Sequence, residues 1–566
     1  MTEIYSLKDF IYNEDLKVYI YPEEFNYSYS DGDITEKNIY DILKESPDNS
    51  SDSDFLKNKI ANWPTEYHFS EYRINLLRHF NFKEKTILEL GAGCGALTRF
   101  MGEISVKVDA VEGSLARAKC VSERCRELSN VKVYCGNFTK IESNEEYDIV
   151  TLIGVAEYAP IYLKTEEPFI DYLKIAKKFL KKDGFLILAI ENKLGLKYFS
   201  GLPEDHVGVP YFGISNLYDN NSVATYGKKE IIEKLNAAGF YNIEFSYPFP
   251  DYKLPKIVVM EPALTEKDFK VSDLLLNVNE RDYSKKYKQN FNTGLVWEAI
   301  ENNNLLDSLS NSFLITAYTH TNTLFESNVL AYYYTLDRKK KYNTITRFIK
   351  RENNIVVIKS LVNDLIMEKR CQENGLIIQK LENIPYVRGK LLEKSIAQSI
   401  LCDNFEQLIL NLKKWITYLI DNGIKEKREN IYSSIAKGEY FDCLPFNLIE
   451  IENNILVYID REWVIKQDIS LYQIILRYLI TIENKCFIKP YNIISRANTN
   501  VIQMLKYLDM PVLLHEIQVF EELNRNITFE IFKKNTFFKV LKTKNKRIFS
   551  FLLKFKTLYK ILLKRT

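Results

Sequence analysis

The stretch ILELGAGCG, residues 87–95, decides the fold. Its apolar first half reads as a buried strand. Its second half places glycines at 91, 93 and 95, where a strand must end, turn sharply and feed a helix N-terminus. Side chains at those positions would block a ligand lying across the turn. The next strand-like run, VKVDAVE (106–112), ends in Glu112, seventeen residues after Gly95. A carboxylate there can accept hydrogen bonds from both hydroxyls of a ribose. Loop and carboxylate together predict a nucleoside-containing cofactor. Spacing alone leaves a nicotinamide dinucleotide open, although Glu89-x-Gly-x-Gly-x-Gly departs from the GxGxxG order.

Outward from the loop, strand-like and helical patterns alternate from Trp63 to about Glu261. The strand-like runs are TILEL (86–90), VKVDAVE, VKVYC (131–135), YDIVTLI (147–153) and FLILAIE (185–191). A helical segment over 169–182 closes at Asp183-Gly184. This alternation predicts a doubly wound α/β layer. With the glycine loop, it resembles the Rossmann-like class I methyltransferases that use S-adenosylmethionine (SAM). The resemblance implies that Glu89, Gly91, Gly93 and Gly95 surround the methionine part of SAM and that Glu112 holds the ribose. Asn137 and Phe138 then stand at the adenine, where many members of the family carry Asp in place of Asn137. Gly154 to Glu157 line the floor of methyl transfer.

Two stretches resemble a narrower group, the bacterial methyltransferases of surface-polysaccharide synthesis: WPTEYHFSEYRINLLRHF (63–80) and ENKLGLKYFSGLPEDHVGVPYFG (191–213). YPFPDYKLPKIVVME (247–261) continues the likeness. Residues 191–213 leave the carboxyl edge of the sheet, where substrate loops belong. Aromatic faces with polar rims suit sugar rings, and a hydroxyl acceptor needs a base. His206 beside Asp205 is the expected base, and His68 is a second histidine near the cofactor or acceptor. The implied acceptor is a hydroxyl of a sugar, or a phosphate on one, in a polysaccharide or its lipid-linked precursor. A small-molecule acceptor, or a SAM-binding scaffold that recruits glycosyltransferases, is the alternative.

Residues 440–463, YFDCLPFNLIEIENNILVYIDREW, carry a second pattern. Asp442 precedes Asn447 by five residues in a turn, two strand-like runs follow, and Asp460 ends the second. This resembles the catalytic loop and metal-binding aspartate of kinase-like and aminoglycoside-phosphotransferase-like enzymes. The likeness implies that Asp442 orients an acceptor hydroxyl and that Asn447 and Asp460 hold magnesium. Lys359, ending IVVIK (355–359), would face the phosphates of ATP, paired with Glu368 or Glu373. Tyr440 stands where the family commonly has His, and no glycine-rich loop is seen near 325–335. Phosphotransfer and non-catalytic binding both remain open. The combination resembles the bifunctional methyltransferase–kinases that terminate O-antigen chains.

The 566 residues predict several domains: an extension over 1–60, the methyltransferase domain over 61–265, a connector over 266–320, an α+β kinase-like domain over 321–525, and a tail over 526–566. In the extension, YSYSDGDITE (27–36) reads as strand then turn, and SPDNSSDSD (46–54) as a linker. Of 77 basic residues, twelve follow Glu530, and none of the 75 acidic ones does. The body is therefore acidic, which argues against a nucleic-acid partner. In the tail, Ile548, Phe551, Leu552, Phe555, Leu558, Tyr559 and Leu562 share one helical face, with lysines largely off it. Such a basic amphipathic helix can lie in an anionic membrane surface. The start of the chain is polar and acidic, unlike a secretory leader, and the eight cysteines form no CxxC pair. A reduced, cytoplasmic protein at the inner face of the plasma membrane is expected.

Overall fold

A computed structural model describes residues 5–22, 32–142, 145–219, 222–278, 287, 289–319, 328–362 and 371–482, together with 505, 508 and 510. The chain divides into two compact units, one built mainly of Met1–Tyr334 and the other mainly of Ile358–Asn484.

The first unit is organised by strands β1 (Ile11–Asn13), β2 (Val18–Ile20), β3 (Thr86–Leu90), β4 (Lys107–Glu112), β5 (Val131–Cys135), β6 (Tyr147–Ile153), β7 (Leu180–Glu191), β8 (Asn242–Phe249), β9 (Ile257–Met260), β10 (Ser312–Tyr318) and β11 (Val329–Thr335). Their order across the sheet is β1-β2-β5-β4-β3-β6-β7-β10-β8-β9-β11. The run β5-β4-β3-β6-β7 is parallel throughout. It is the 3-2-1-4-5 order of a doubly wound α/β sheet, as expected from the alternating pattern. Such strands are covered on both faces, so they read as continuous apolar runs. Ile87, Val108, Ile149 and Ile187 are each fully buried, packed with Phe82, Phe100 and Met101.

β10 runs antiparallel between β7 and β8, with Ile315 opposite Leu188 on one side and Phe245 on the other. It lies inside the segment expected to be a connector. All seven of its residues are buried, so residues 312–318 belong to the core of the first unit.

The start of the chain is also part of this unit. β2 pairs parallel with β5, extending the sheet beyond the alternating strands. The turn expected near residues 33–36 is instead the first turn of a helix, Asp33–Glu45, which buries Ile39 and Leu43; residues 27–31 lie outside the described residues. Arg117 Nε donates to Glu36 Oε1 at 2.8 Å, fastening this helix to Leu115–Arg124. Residues 46–54 are anchored too. Asn49 is fully buried and donates to the carbonyls of Leu43 and Glu123, and Ser53 caps the helix Asp54–Asn58. Further on, the helix expected over 169–182 stops at Lys178, and β7 takes up the chain from Leu180.

The second unit is α+β, as expected. The strand Ile377–Lys380 pairs antiparallel with Cys371–Asn374 and Trp463–Ile465. A hairpin joins Leu448–Glu450 to Leu456–Tyr458. The helices Leu392–Leu401, Phe405–Gly423 and Leu471–Ile482 make its core, where Trp415 meets Tyr478 edge-on at 5.1 Å. Among the described residues, no helix is long and apolar enough to cross a membrane. The tail over 526–566, with Glu368 and the Glu373 side chain, lies outside the described residues.

Candidate functional site

The carboxyl ends of β3, β4, β6 and β7 finish at one edge of the sheet, because parallel neighbours are in register there: Leu90 pairs with Val111 and Leu152, and Ile153 with Ala189. A cavity of about 400 Å³ opens at that edge. The glycine loop forms one wall. Gly91 has φ +85°, and a Cβ on it would collide with Val155. A Cβ on Gly93, at φ +57°, would meet no heavy atom within 4 Å, so its backbone faces open space. Gly95 is not among the lining residues. It starts the helix Ala96–Ile104 and packs on Val121.

Two acids stand at this end. Glu89 is 3% exposed and accepts a 2.5 Å hydrogen bond from Thr98 Oγ1. Burial pushes its carboxyl up to about 8, against the pull of Thr98 and Arg73. Glu112 accepts from the backbone N–H of Gly93 at 2.7 Å and of Ser114 at 2.9 Å. Burial raises its carboxyl too. Phe138 lines the cavity and meets Tyr172 edge-on. Asn137 does not line it. Its Oδ1 accepts from Thr139 N–H and Oγ1, capping the turn that carries Phe138.

Gly154 lies on the floor after β6, where a Cβ would meet Tyr252 Oη at 2.7 Å. Beyond it the cavity ends in a buried charged cluster. His206 Nε2 is 3.4 Å from Glu191 Oε2 and 3.8 Å from Glu157 Oε1, and its Nδ1 is 3.1 Å from Tyr158 Oη. Asp205, the expected partner of His206, is engaged elsewhere. It accepts from Lys197 Nζ at 2.6 Å and Lys253 Nζ at 2.9 Å. Lys253 also pairs with Glu191. Glu204 accepts from the backbone N–H groups of His206 and Val207. Burial opposes charge on His206, yet Glu191 and Glu157 hold its imidazole up at about 9. Burial and Glu191 push Glu157 up to about 8. His68 lines the cavity near the loop, in edge contact with Tyr67.

The convergence of Glu157, Glu191 and His206 was not read from the sequence. Its signal was present: β6 and β7 are parallel neighbours, so the first acidic residues at their carboxyl ends must approach one another. Arg73 is a further lining residue that the sequence did not mark. It stacks 4.7 Å from Tyr67 and donates to the carbonyls of Tyr252 and Lys253.

In the second unit, Lys359 on the strand Asn354–Leu361 pairs with Asp460, and with Glu462 at 3.0 Å. Asp460 has φ +51°. Glu462 also accepts from Arg338 at 2.5 Å and from Gln379. Burial raises the Glu462 carboxyl, but Arg338 and Lys359 outweigh it and hold it at about 2. Asn447 Nδ2 donates to Asp442 Oδ2 at 3.2 Å, and Arg477 donates to Asp442 Oδ1 at 2.7 Å. Lys359 thus meets Asp460, and Asp442 meets Asn447. Glu462, Arg338 and Arg477 join them without having been marked in the sequence.

No family model matches the chain, and no curated protein does. Solved structures to which the chain is similar include phosphoethanolamine N-methyltransferase 1 of Haemonchus contortus in complex with phosphoethanolamine and S-adenosylhomocysteine. It is 15% identical, over 52% of this chain and 50% of that one, at a TM-score of 0.28. A putative methyltransferase of Bacillus halodurans is 18% identical, over 44% of this chain and 99% of that one, at 0.26. The N-methyltransferase NodS of Bradyrhizobium japonicum is 16% identical, over 28% and 75%, at 0.21. The chain spans about half the length of the Haemonchus enzyme. Likenesses this slight assign no activity.

Proposed function

We propose that the protein is a SAM-dependent methyltransferase acting on an oxygen of a sugar or sugar phosphate, in a surface polysaccharide or its lipid-linked precursor. The observation that carries this reading is the cavity that joins the glycine loop, Glu112 and Phe138 to Glu157 and His206. One end suits a nucleoside with a cationic tail: open backbone at Gly93, two carboxylates and an aromatic wall. SAM supplies an electrophilic methyl group on its sulfonium. The chain's own residues then orient the acceptor at the far end and receive its proton there. The glycan class is supported by the likeness of residues 63–80 and 191–213 to polysaccharide methyltransferases, and by the charged, hydrogen-bonding character of the acceptor end.

Calorimetry with SAM tests the donor. The reading expects saturable binding that Glu89→Ala and Glu112→Ala each abolish or strongly weaken. Mass spectrometry of the surface glycan from cells carrying those variants tests the acceptor. Loss of methyl groups supports the glycan, unchanged methyl content with SAM binding lost points to the scaffold, and methylation confined to soluble metabolites points to a small-molecule acceptor.

A second activity is favoured by Lys359 beside Asp460 and Asn447 beside Asp442. On this reading the second unit binds Mg·ATP, with Lys359 toward the phosphates and Asn447 and Asp460 toward the metal. Binding of Mg·ATP to the wild type, lost in Asp460→Ala, is the expected result. No binding by the wild type would remove phosphotransfer from the proposal.

A further inference from the structure

We infer that Glu157, Glu191 and His206 form a binding site for one divalent first-row cation, open to the cavity beside the floor of methyl transfer. One ligand atom from each of the three residues lies within 4.8 Å of the other two. The separations of 3.4 and 3.8 Å from His206 Nε2 to the two carboxylate oxygens are near those around an ion held at about 2.0–2.2 Å by nitrogen and oxygen ligands. Only a small inward movement closes the shell.

Two further observations point to an ion. Glu157 is fully buried, and neither of its oxygens has a hydrogen-bond partner among the described residues. A buried carboxylate without a hydrogen bond is costly unless a positive group meets it closely, and His206 Nε2 stands 3.8 Å away. The second is charge balance. Four carboxylates, on Glu157, Glu191, Glu204 and Asp205, are gathered around two ammonium groups, on Lys197 and Lys253. With His206 protonated one negative charge is left over, and a divalent cation in place of that proton neutralises the cluster. Tyr158 at Nδ1 leaves Nε2 turned toward the two carboxylates, the orienting role that a metal-bound imidazole requires of its other nitrogen. Two carboxylates and one imidazole suit manganese, iron, cobalt or zinc better than calcium.

Three protein ligands leave coordination positions toward the cavity, where an acceptor oxygen can enter. That use of the ion rests on the methyltransferase reading; the binding of the ion does not.

Chelator-treated full-length protein is titrated with Co²⁺ and followed by visible absorption. The expected result is one saturable set of ligand-field bands. Glu157→Gln and His206→Gln each weaken it by at least about tenfold, while Asp468→Asn, at an exposed ion pair with Lys425, leaves it unchanged. Thermal melts identify a variant that has not folded, and the other then decides. Absence of bands in the wild type, or equal bands in folded Glu157→Gln, overturns the inference. SAM calorimetry on the same samples separates the two ideas. SAM binding without cobalt bands defeats the ion site alone, and cobalt bands without SAM binding defeat the methyltransferase reading alone.

Discussion

Glu89 sits at the end of β3 with its carboxyl pushed up to about 8 by burial. The α-ammonium group of SAM favours the ionised form. Donor affinity should therefore climb as the pH rises toward about 8, by at most about tenfold per unit, and then level off. Glu89→Gln should bind weakly at every pH, and calorimetry across a pH series separates the two curves. Stability moves the other way. This carboxyl holds its proton more tightly in the folded chain than its ordinary value of 4.5 allows in the unfolded one. Its contribution to stability is full below that value and is lost as pH rises through about 8. At this scale the sequence set Glu89, Gly91, Gly93 and Glu112 close together, and they line one cavity, because loop spacing dictates where such residues stand. The far end of the cavity was less legible. Neighbours in a loop need not face each other, so Asp205 turned to Lys197 and Lys253 while carboxylates from two other strand ends reached His206.

Among the elements, the parallel strands were legible because burial on both faces writes itself as unbroken apolar runs. β10 was not. Some fifty residues separate it from β9, and only tertiary pairing places it between β7 and β8. Its weight in the core can be measured. Ile315 is fully buried at the middle of the strand, so Ile315→Ala should cost about 2–5 kcal/mol in urea unfolding of the first unit. A loss below about 0.5 kcal/mol, typical of a surface site, would contradict its place there. Helix Asp33–Glu45 escaped the sequence reading because the polar stretch before it dominates the local composition; the apolar spacing of Ile39 and Leu43 was the available signal.

Over the whole molecule, the acidic body and basic tail concern location more than fold. A protein deprived of residues 530–566 should lose co-sedimentation with anionic vesicles while retaining SAM binding. Equal sedimentation with and without the tail would exclude it as an anchor. The opposite end of the chain bears on handling. Tyr5 Oη donates to the carbonyl of Asn137 at 3.0 Å and accepts from its N–H at 3.1 Å, and Tyr5 N–H donates to Lys140 O. The first residues thereby strap down the turn that places Phe138 on the cavity wall. Coupling of this kind is reciprocal. A ligand that settles against Phe138 must tighten the strap, and a fusion tag or nick that loosens the strap must weaken the ligand. Trypsin should thus cut at the exposed Lys8 and Lys17 more slowly when SAM is present, and protein trimmed there should bind SAM less tightly than the intact chain.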